Sequence, residues 1–409
     1  MAGEARDPET EVGPLEGVTV IDASQVLVGP FCTMQLADLG ADVIKVERPS
    51  VGDQTRGWYP PRFGDEEGLS AYYASVNRNK RSITLNLKDE RGQAVLRDLV
   101  EDADVFVENF RVGTTEQWGL DYGTLSTSNP DLIYCSLSGY GEWGPAARDP
   151  AYDLIMQAES GFMSITGEPD GPPVRVGVAI ADIGAGMYAT QAILAALFRR
   201  AFADADGQKI DVSLFDGQLA WLSYMASSYF ATGEPPSKMG SRHPTIVPYQ
   251  AFPTRDGHVV VAAASEKLWR RLCRALDRPA LLEDERFATN ADRVAHRDDL
   301  EALLSTEFET YTTEEALTLL EAADVPAAPV RDLAEAFEHP QVESRGMLQT
   351  VDHPRLGEIP MAGSPMHLSQ TPTSVRRHPP DLGEHTEAVL SEIGYERETI
   401  EDLASDDVT

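Results

Sequence analysis

Apolar residues at 183, 187, 194, 197 and 198 fall on one face if the chain winds from residue 183 to 200, so this stretch predicts a long helix with one buried side. Its closing pair, Arg199 and Arg200, suits the negative end of the helix dipole. Upstream, short apolar runs alternate with helix-like stretches. Residues 18–22, 42–47, 82–86, 104–108 and 132–136 read as strands, with helices over 31–39, stopped by Gly40, and over 89–101. Such alternation predicts an α/β fold with a mostly parallel sheet covered on both faces, and ligands of such sheets bind at the carboxyl ends of the strands.

The texture changes near residue 230. Residues 231–240 read as a linker, 249–263 as a hairpin, and 266–276, 297–308 and 313–323 as helices. The expected organisation is an acidic, disordered tail over 1–14, a Rossmann-like large domain over 15–230, and a smaller α+β domain over 235–330. A Pro- and Gly-rich return segment over 335–409, with a short helix near 384–393, completes the large domain. The first strand–helix loop, 23–29, holds one glycine and no GxGxxG, which argues against dinucleotide binding of the usual kind.

Charge narrows the partners. The 409 residues include 67 acidic and 34 basic side chains, for a net charge of −33, and only six of the basic residues are lysine. A field of that sign repels phosphate, so nucleic acid and anionic membranes are poor partners. The acidic residues are spread along the whole chain, which predicts a halophilic surface suited to molar salt, where the Debye length falls to about 3 Å. No apolar run near 18 residues is evident in the sequence, and we expect a soluble, cytoplasmic protein. The three cysteines are widely spaced, so neither a disulfide framework nor a metal site is expected.

All eight histidines lie at or beyond position 243. A Ser–His or Cys–His nucleophile pair within the first 242 residues is therefore excluded, which leaves mainly carboxylates to do covalent chemistry there. A carboxylate is a weak nucleophile and needs an activated acyl partner. Asp182 stands where an apolar run over 174–181 gives way to the long helix. It is expected at or near the N-cap, with the small residues after it leaving the first turn open, so that N–H groups at Gly184 and Gly186 face an oxyanion. A simple capping role for Asp182 is compatible with the same pattern.

Several motifs extend this reading. Gly40-Ala-Asp-Val-Ile-Lys-Val-Glu-Arg-Pro49 with Gly52-Asp53, Asn77-Arg-Asn-Lys-Arg-Ser82, Val107-Glu-Asn-Phe-Arg111, Ser138-Gly-Tyr-Gly141, Tyr152-Asp153, the Asp182 segment and Leu382-Gly-Glu-His385 occur in order. Together they resemble the class III coenzyme A transferases, a family that also holds α-methylacyl-CoA racemase. The resemblance runs from about residue 15 to 395. It implies a homodimer of interlocked rings, with Asp182 as the catalytic residue. It further implies coenzyme A contacts at Leu27, Val28, Arg48, Leu85, Lys88, Asn109, Phe110, Arg111, Tyr152 and Asp153, with Arg48 and Lys88 on phosphates. Gln117 replaces a cation found in many members. Coenzyme A enters as a thioester substrate, and no permanently bound cofactor is expected.

The racemase of this family needs a histidine just before the segment matching residues 149–152, where this chain has Arg148, a poor proton carrier. Transfer is therefore preferred to racemisation. The same motifs also fit intramolecular transfer between two carboxylates of one acid, or a non-catalytic coenzyme A-binding protein. Residues 241–250 lack the glycine run of oxalate-specific members. Arg242 and His243 there are candidates for the distal carboxylate of a dicarboxylic acid, with loop packing equally open. Succinyl-CoA as donor and a C4 or C5 dicarboxylate such as mesaconate, citramalate or malate as acceptor are expected, with mesaconate the first choice.

Overall fold

In the strand Asp42-Val-Ile-Lys-Val-Glu47, apolar side chains serve both faces, as a fully covered strand requires. The computed structural model describes residues 13–203 and 205–409, so the expected tail lies, up to residue 12, outside the described residues. Six parallel strands form the main sheet: β1 (Thr19–Asp22), β2 (Asp42–Glu47), β3 (Lys80–Thr84), β4 (Val105–Glu108), β5 (Ile133–Ser138) and β6 (Gln208–Ser213). Their spatial order is β3-β2-β1-β4-β5-β6, the doubly wound order whose direction of winding reverses between β1 and β4.

Successive residues of the four central strands enter opposite cores. Ile21, Ile44, Phe106 and Tyr134 pack with Val95, Leu96 and Leu99 of α2 (Glu90–Glu101). Val20, Val43, Val105 and Ile133 pack with Cys32 and Leu36 of α1 (Val28–Asp38), and with Ala185, Ala189 and Ile193 of a long helix. That helix follows α3 (Asp153–Glu159). It is α4 (Ile180–Ala203), succeeded by α5 (Leu214–Trp221).

Three expectations shift. Strand β3 starts at Lys80 rather than residue 82, because the Lys80 ammonium is fully buried against Asp22 and hydrophobic patterning cannot anticipate a buried cation. Strand β6 adds to the expected set, its apolar positions being interrupted in the sequence by Lys209 and Asp211. Helix α4 begins three residues earlier than the pattern predicts and, contrary to the sequence expectation, is long and apolar enough to cross a bilayer by length and composition. Its buried face nevertheless packs into the sheet core.

The chain divides into two compact units. The larger comprises the chain up to Phe162, Val176–Ser227 and Gln341–Thr409; the smaller comprises Met163–Arg175 and Ser228–Pro340. The expected large domain had included 163–175, but this segment joins the smaller unit. There Gly240 N donates to Gly167 O at 2.9 Å, and Lys238 Nζ to Gly171 O at 2.6 Å. Within that unit, β7 (Tyr249–Pro253), β8 (His258–Ala262) and β9 (Ala327–Pro329) form an antiparallel sheet. Trp269, Phe252, Phe287 and Phe308 fill its core. The C-terminal segment returns to the larger unit, where Asn79 Oδ1 accepts the N–H groups of Arg376 and Arg377 at 2.6 and 2.9 Å.

Candidate active site

Five strands of the main sheet end in loops that carry the residues of interest, and the turn after β1 is the most tightly held. Asp22 closes β1 and accepts hydrogen bonds from Ser24 N, the Ser24 hydroxyl, Thr33 Oγ1 and Lys80 Nζ. Burial alone would raise its pKa, but the charges of Lys80 and Lys45 outweigh it and hold the group at about 2. A Cβ on Gly29 would lie 2.1 Å from Ser24 Oγ, so only glycine lets α1 start this close to the turn.

Val26 sits at the apex with φ +71°. A β-branched residue in that region costs about 1–3 kcal/mol, so something must hold it. Its N–H donates to both carboxylate oxygens of Asp53, at 3.1 and 3.3 Å. The preceding residue is gripped from the other side of the switch point. Gln25 N donates to Asn109 Oδ1, and Asn109 Nδ2 donates back to Gln25 O, both at 2.8 Å.

Asp182 lies in the first turn of α4 and is not its cap. Asp153, from α3, takes that role: its Oδ1 accepts Ala181 N–H at 2.8 Å and its Oδ2 accepts Gln157 Nε2 at 2.7 Å. Gln157 Oε1 in turn accepts Val176 N–H at 2.9 Å, which secures both ends of the stretch leading into the helix. Burial, then the nearby Asp153 carboxylate, pushes the Asp182 pKa up to about 7, and no cation or hydrogen bond opposes them. The expectation that a helix N-terminus keeps this group ionised is thus outweighed by its surroundings.

Asp182 opens into a cavity of about 520 Å³. Leu27 and Val28 from the β1 turn, Asn109, Phe110 and Arg111 from the β4 loop, and Tyr152 with Arg148 from the loop after β5 also line it. Eight of the residues singled out from the sequence therefore meet at one place. The others do not. Arg48 and Lys88 are exposed just past the carboxyl ends of β2 and β3, and neither lines this cavity. Leu85 is buried in the sheet core, so its side chain is not a ligand contact. Asp153 already accepts from Ala181 N–H and Gln157 Nε2, and the Asn109 amide already pairs with Gln25, so both side chains hold protein groups in place whatever else they meet.

The oxyanion role expected of Gly184 and Gly186 is not supported. Because α4 starts at Ile180, their N–H groups fall where α-helical bonding consumes them. A Cβ on Gly186 would lie 2.7 Å from Val28 O, and one on Gly184 3.0 Å from the Trp221 ring. Close packing is the reason for both glycines.

In the smaller unit, Arg242 is ion-paired with Glu301 at 2.8 Å, and His243 Nδ1 accepts Thr245 N–H at 3.2 Å. Sequence reasoning missed Lys45, Asp53, Gln25 and Val26. A lysine inside an otherwise apolar strand, followed by Gly52-Asp53, was the available signal.

Comparisons with known proteins identify the family. Residues 15–386 match the model of CoA-transferase family III. The chain belongs to that family. This family III CoA-transferase is 46% identical over 395 residues to the succinate–glutarate CoA-transferase of Agrobacterium fabrum, covering 96% of this chain and 98% of that one. It is 41% identical over 390 residues to the succinyl-CoA:mesaconate CoA-transferase of Haloarcula hispanica, covering 94% and 97%. Among solved structures, a CaiB/BaiF family protein from Brucella suis superposes on the CoA-transferase with a TM-score of 0.83 at 40% identity, covering 93% of this chain and all of that one.

Proposed function

We propose that this CoA-transferase moves coenzyme A from succinyl-CoA to a C5 dicarboxylate through covalent intermediates on Asp182. The observation that carries the proposal is a carboxylate without a cation, in the first turn of a helix, opening into the cavity at the carboxyl edge of the sheet. A carboxylate so placed can attack an acyl carbon.

Asp182 oxygen adds to the thioester carbonyl, the C–S bond breaks, and coenzyme A leaves as a thiolate. The product on the enzyme is a mixed anhydride. The thiolate then attacks the Asp182 carbonyl and expels succinate, leaving an aspartyl-CoA thioester. The acceptor carboxylate attacks that thioester, forming a second anhydride and freeing the thiolate once more. Thiolate attack on the acceptor acyl carbon gives the new thioester and restores Asp182. One thioester is consumed and one formed, so no ATP is required.

Leu27, Val28, Phe110, Arg111 and Tyr152 are the candidates for the pantetheine end, and Arg48 and Lys88 for the phosphates. Glutarate takes first place as acceptor, because the 46% identical relative bears that name; mesaconate, also a C5 dicarboxylate, follows. Racemisation is disfavoured because no histidine lines the cavity among the described residues. A homodimer is part of this reading and rests on the family resemblance; a cytoplasmic location is part of it on the sequence expectation alone.

The test is to add hydroxylamine during turnover with succinyl-CoA and glutarate, then map the modified peptide by mass. Modification at Asp182, absent without substrate, is expected. An unmodified Asp182 in an enzyme that is inactivated elsewhere would remove it from the nucleophile role. A panel of C4 to C6 acids in the same assay ranks the acceptors.

A further inference from the structure

The β1 turn is strained, lines the cavity, and is gripped from behind by groups that face away from it. Asp53 is 1% exposed and Lys45 is fully buried, and their charges meet at 3.0 Å between Nζ and Oδ2. Neither lines the cavity. Lys45 Nζ also donates to Ser24 O at 3.0 Å, while Asp53 takes the Val26 N–H. The pair therefore holds the backbone on both sides of Gln25.

Asp53 is itself fixed. Its Oδ1 accepts Thr55 N and Thr55 Oγ1 at 2.9 and 2.8 Å, and its own N–H donates to Glu47 Oε2 at 2.9 Å. Glu47 is held in turn by Arg56 through two bonds of 2.7 Å and by Ser82 at 2.6 Å. Taking a lysine and an aspartate fully out of water is costly, and buried ion pairs often add little net stability over apolar packing, so the backbone groups this pair holds are the informative part. Its contacts are concentrated on the turn that lines the cavity.

We infer that Lys45 and Asp53 are positioning residues for the transfer reaction: their ion pair locks Val26 in its left-handed conformation, so that Val26, Leu27 and Val28 present a fixed wall to the acyl-CoA beside Asp182. Burial opposes both charges, yet each is held in its ionised form by the other, with the Lys45 pKa raised and the Asp53 pKa lowered. The clamp is therefore present across the neutral range. The inference rests on reading the cavity as the acyl-CoA site.

Glycine adopts positive φ without strain, so a glycine at 26 needs no clamp. This gives a double-mutant cycle with a readout that a purely structural role does not move. In the native background Asp53→Asn should raise KM for every acyl-CoA donor and lower kcat/KM by roughly 10- to 100-fold, as expected for a small displacement beside the reacting atoms, with KM for the acceptor unchanged. In the Val26→Gly background the same substitution should cost under about 3-fold, most of the roughly 10- to 100-fold loss having been rescued. Equal losses in both backgrounds, or a loss confined to kcat per milligram of protein, overturn the inference.

Amide hydrogen exchange on the unsubstituted enzyme, free of substrate, tests the clamp even where Asp53→Asn fails to fold. Val26 N–H should exchange as slowly as the amides of β1. Exchange at the rate of exposed loops overturns the clamp itself. A protected Val26 amide combined with unaltered donor kinetics in Asp53→Asn overturns the assignment of the cavity to acyl-CoA, and the inference with it.

Discussion

Asp153 caps a helix it does not belong to: its Oδ1 accepts the Ala181 N–H at 2.8 Å, one residue before Asp182. The usual division of labour at a helix start is thereby split between two carboxylates. One satisfies the backbone, and the other, half-buried at the cavity wall, has no hydrogen bond among the described residues. The cost is electrostatic, because two like charges share a small volume.

That arrangement predicts the acid limb of the pH–rate profile. Transfer needs Asp182 ionised, and burial together with Asp153 places its pKa at about 7 in the free enzyme. The value of kcat/KM for succinyl-CoA should therefore rise through pH 7 as the carboxyl loses its proton, then level off. Asp153→Asn keeps an acceptor for Ala181 N–H but removes the like charge, so the limb should move to lower pH. A limb that stays in place in that variant would show that Asp153 has no electrostatic hold on Asp182.

The same shift has a stability consequence of fixed sign. Asp182 has a higher pKa folded than unfolded, where about 3.9 is usual, so the folded state binds more protons between those values. Stability is undiminished below about pH 4, falls as pH rises towards about 7, and stays low above it. Asp182→Asn escapes this penalty. Thermal unfolding should show the variant more stable than the parent at pH 8 and indistinguishable at pH 4, while its transfer activity drops by at least about three powers of ten. Equal melting points at pH 8 would argue against an uncompensated carboxylate at this position.

Arg48 and Lys88 stand outside the cavity at the ends of adjacent strands, where a long ligand crossing the sheet edge would meet them. Each alanine variant should raise KM for all acyl-CoA donors by a common factor and leave kcat alone, because the phosphates are common to all of them. The expected size is roughly 10-fold, from a charge-assisted contact of about 1.5–3 kcal/mol partly screened at an exposed site. Donor-specific changes would place these residues near the acyl group instead.

Net charge sets a fourth expectation. At −33 the folded chain repels itself, and salt screens that repulsion over about 8 Å at physiological strength and 3 Å at 1 M. The melting temperature should climb steadily as KCl is raised from 0.1 to about 3 M. A melting temperature independent of KCl would sink the halophilic reading.

Much of the larger unit was legible in the chain. Strand β2 occupies the residues its pattern predicts, because three of its four central residues are β-branched and apolar, as a strand covered on both faces requires, with Lys45 the one exception. The hairpin of β7 and β8 and the helices Arg297–Phe308 and Thr313–Ala322 were legible for a related reason: local periodicity and turn chemistry suffice for them. The place of Asp182 at the start of the long helix was legible from the switch between apolar run and helical periodicity, and composition and family resemblance together singled it out, since no histidine precedes residue 243 and mainly carboxylates remain there for covalent chemistry.

What the chain could not announce depends on partners distant in sequence. The cap on α4 comes from Asp153, 28 residues before Ala181, and the hold on Val26 comes from Asp53, 27 residues after it. A carboxylate reads the same in sequence whether it meets coenzyme A, a helix N-terminus or a buried lysine. Gly184 and Gly186 likewise read as an open anion site until Trp221 and the Val28 carbonyl were found against them. Sequence periodicity reports which face of an element leaves water, whereas the neighbour that meets that face, and so the pKa of Asp182 and the shape of its cavity, is set only when the strands and helices pack.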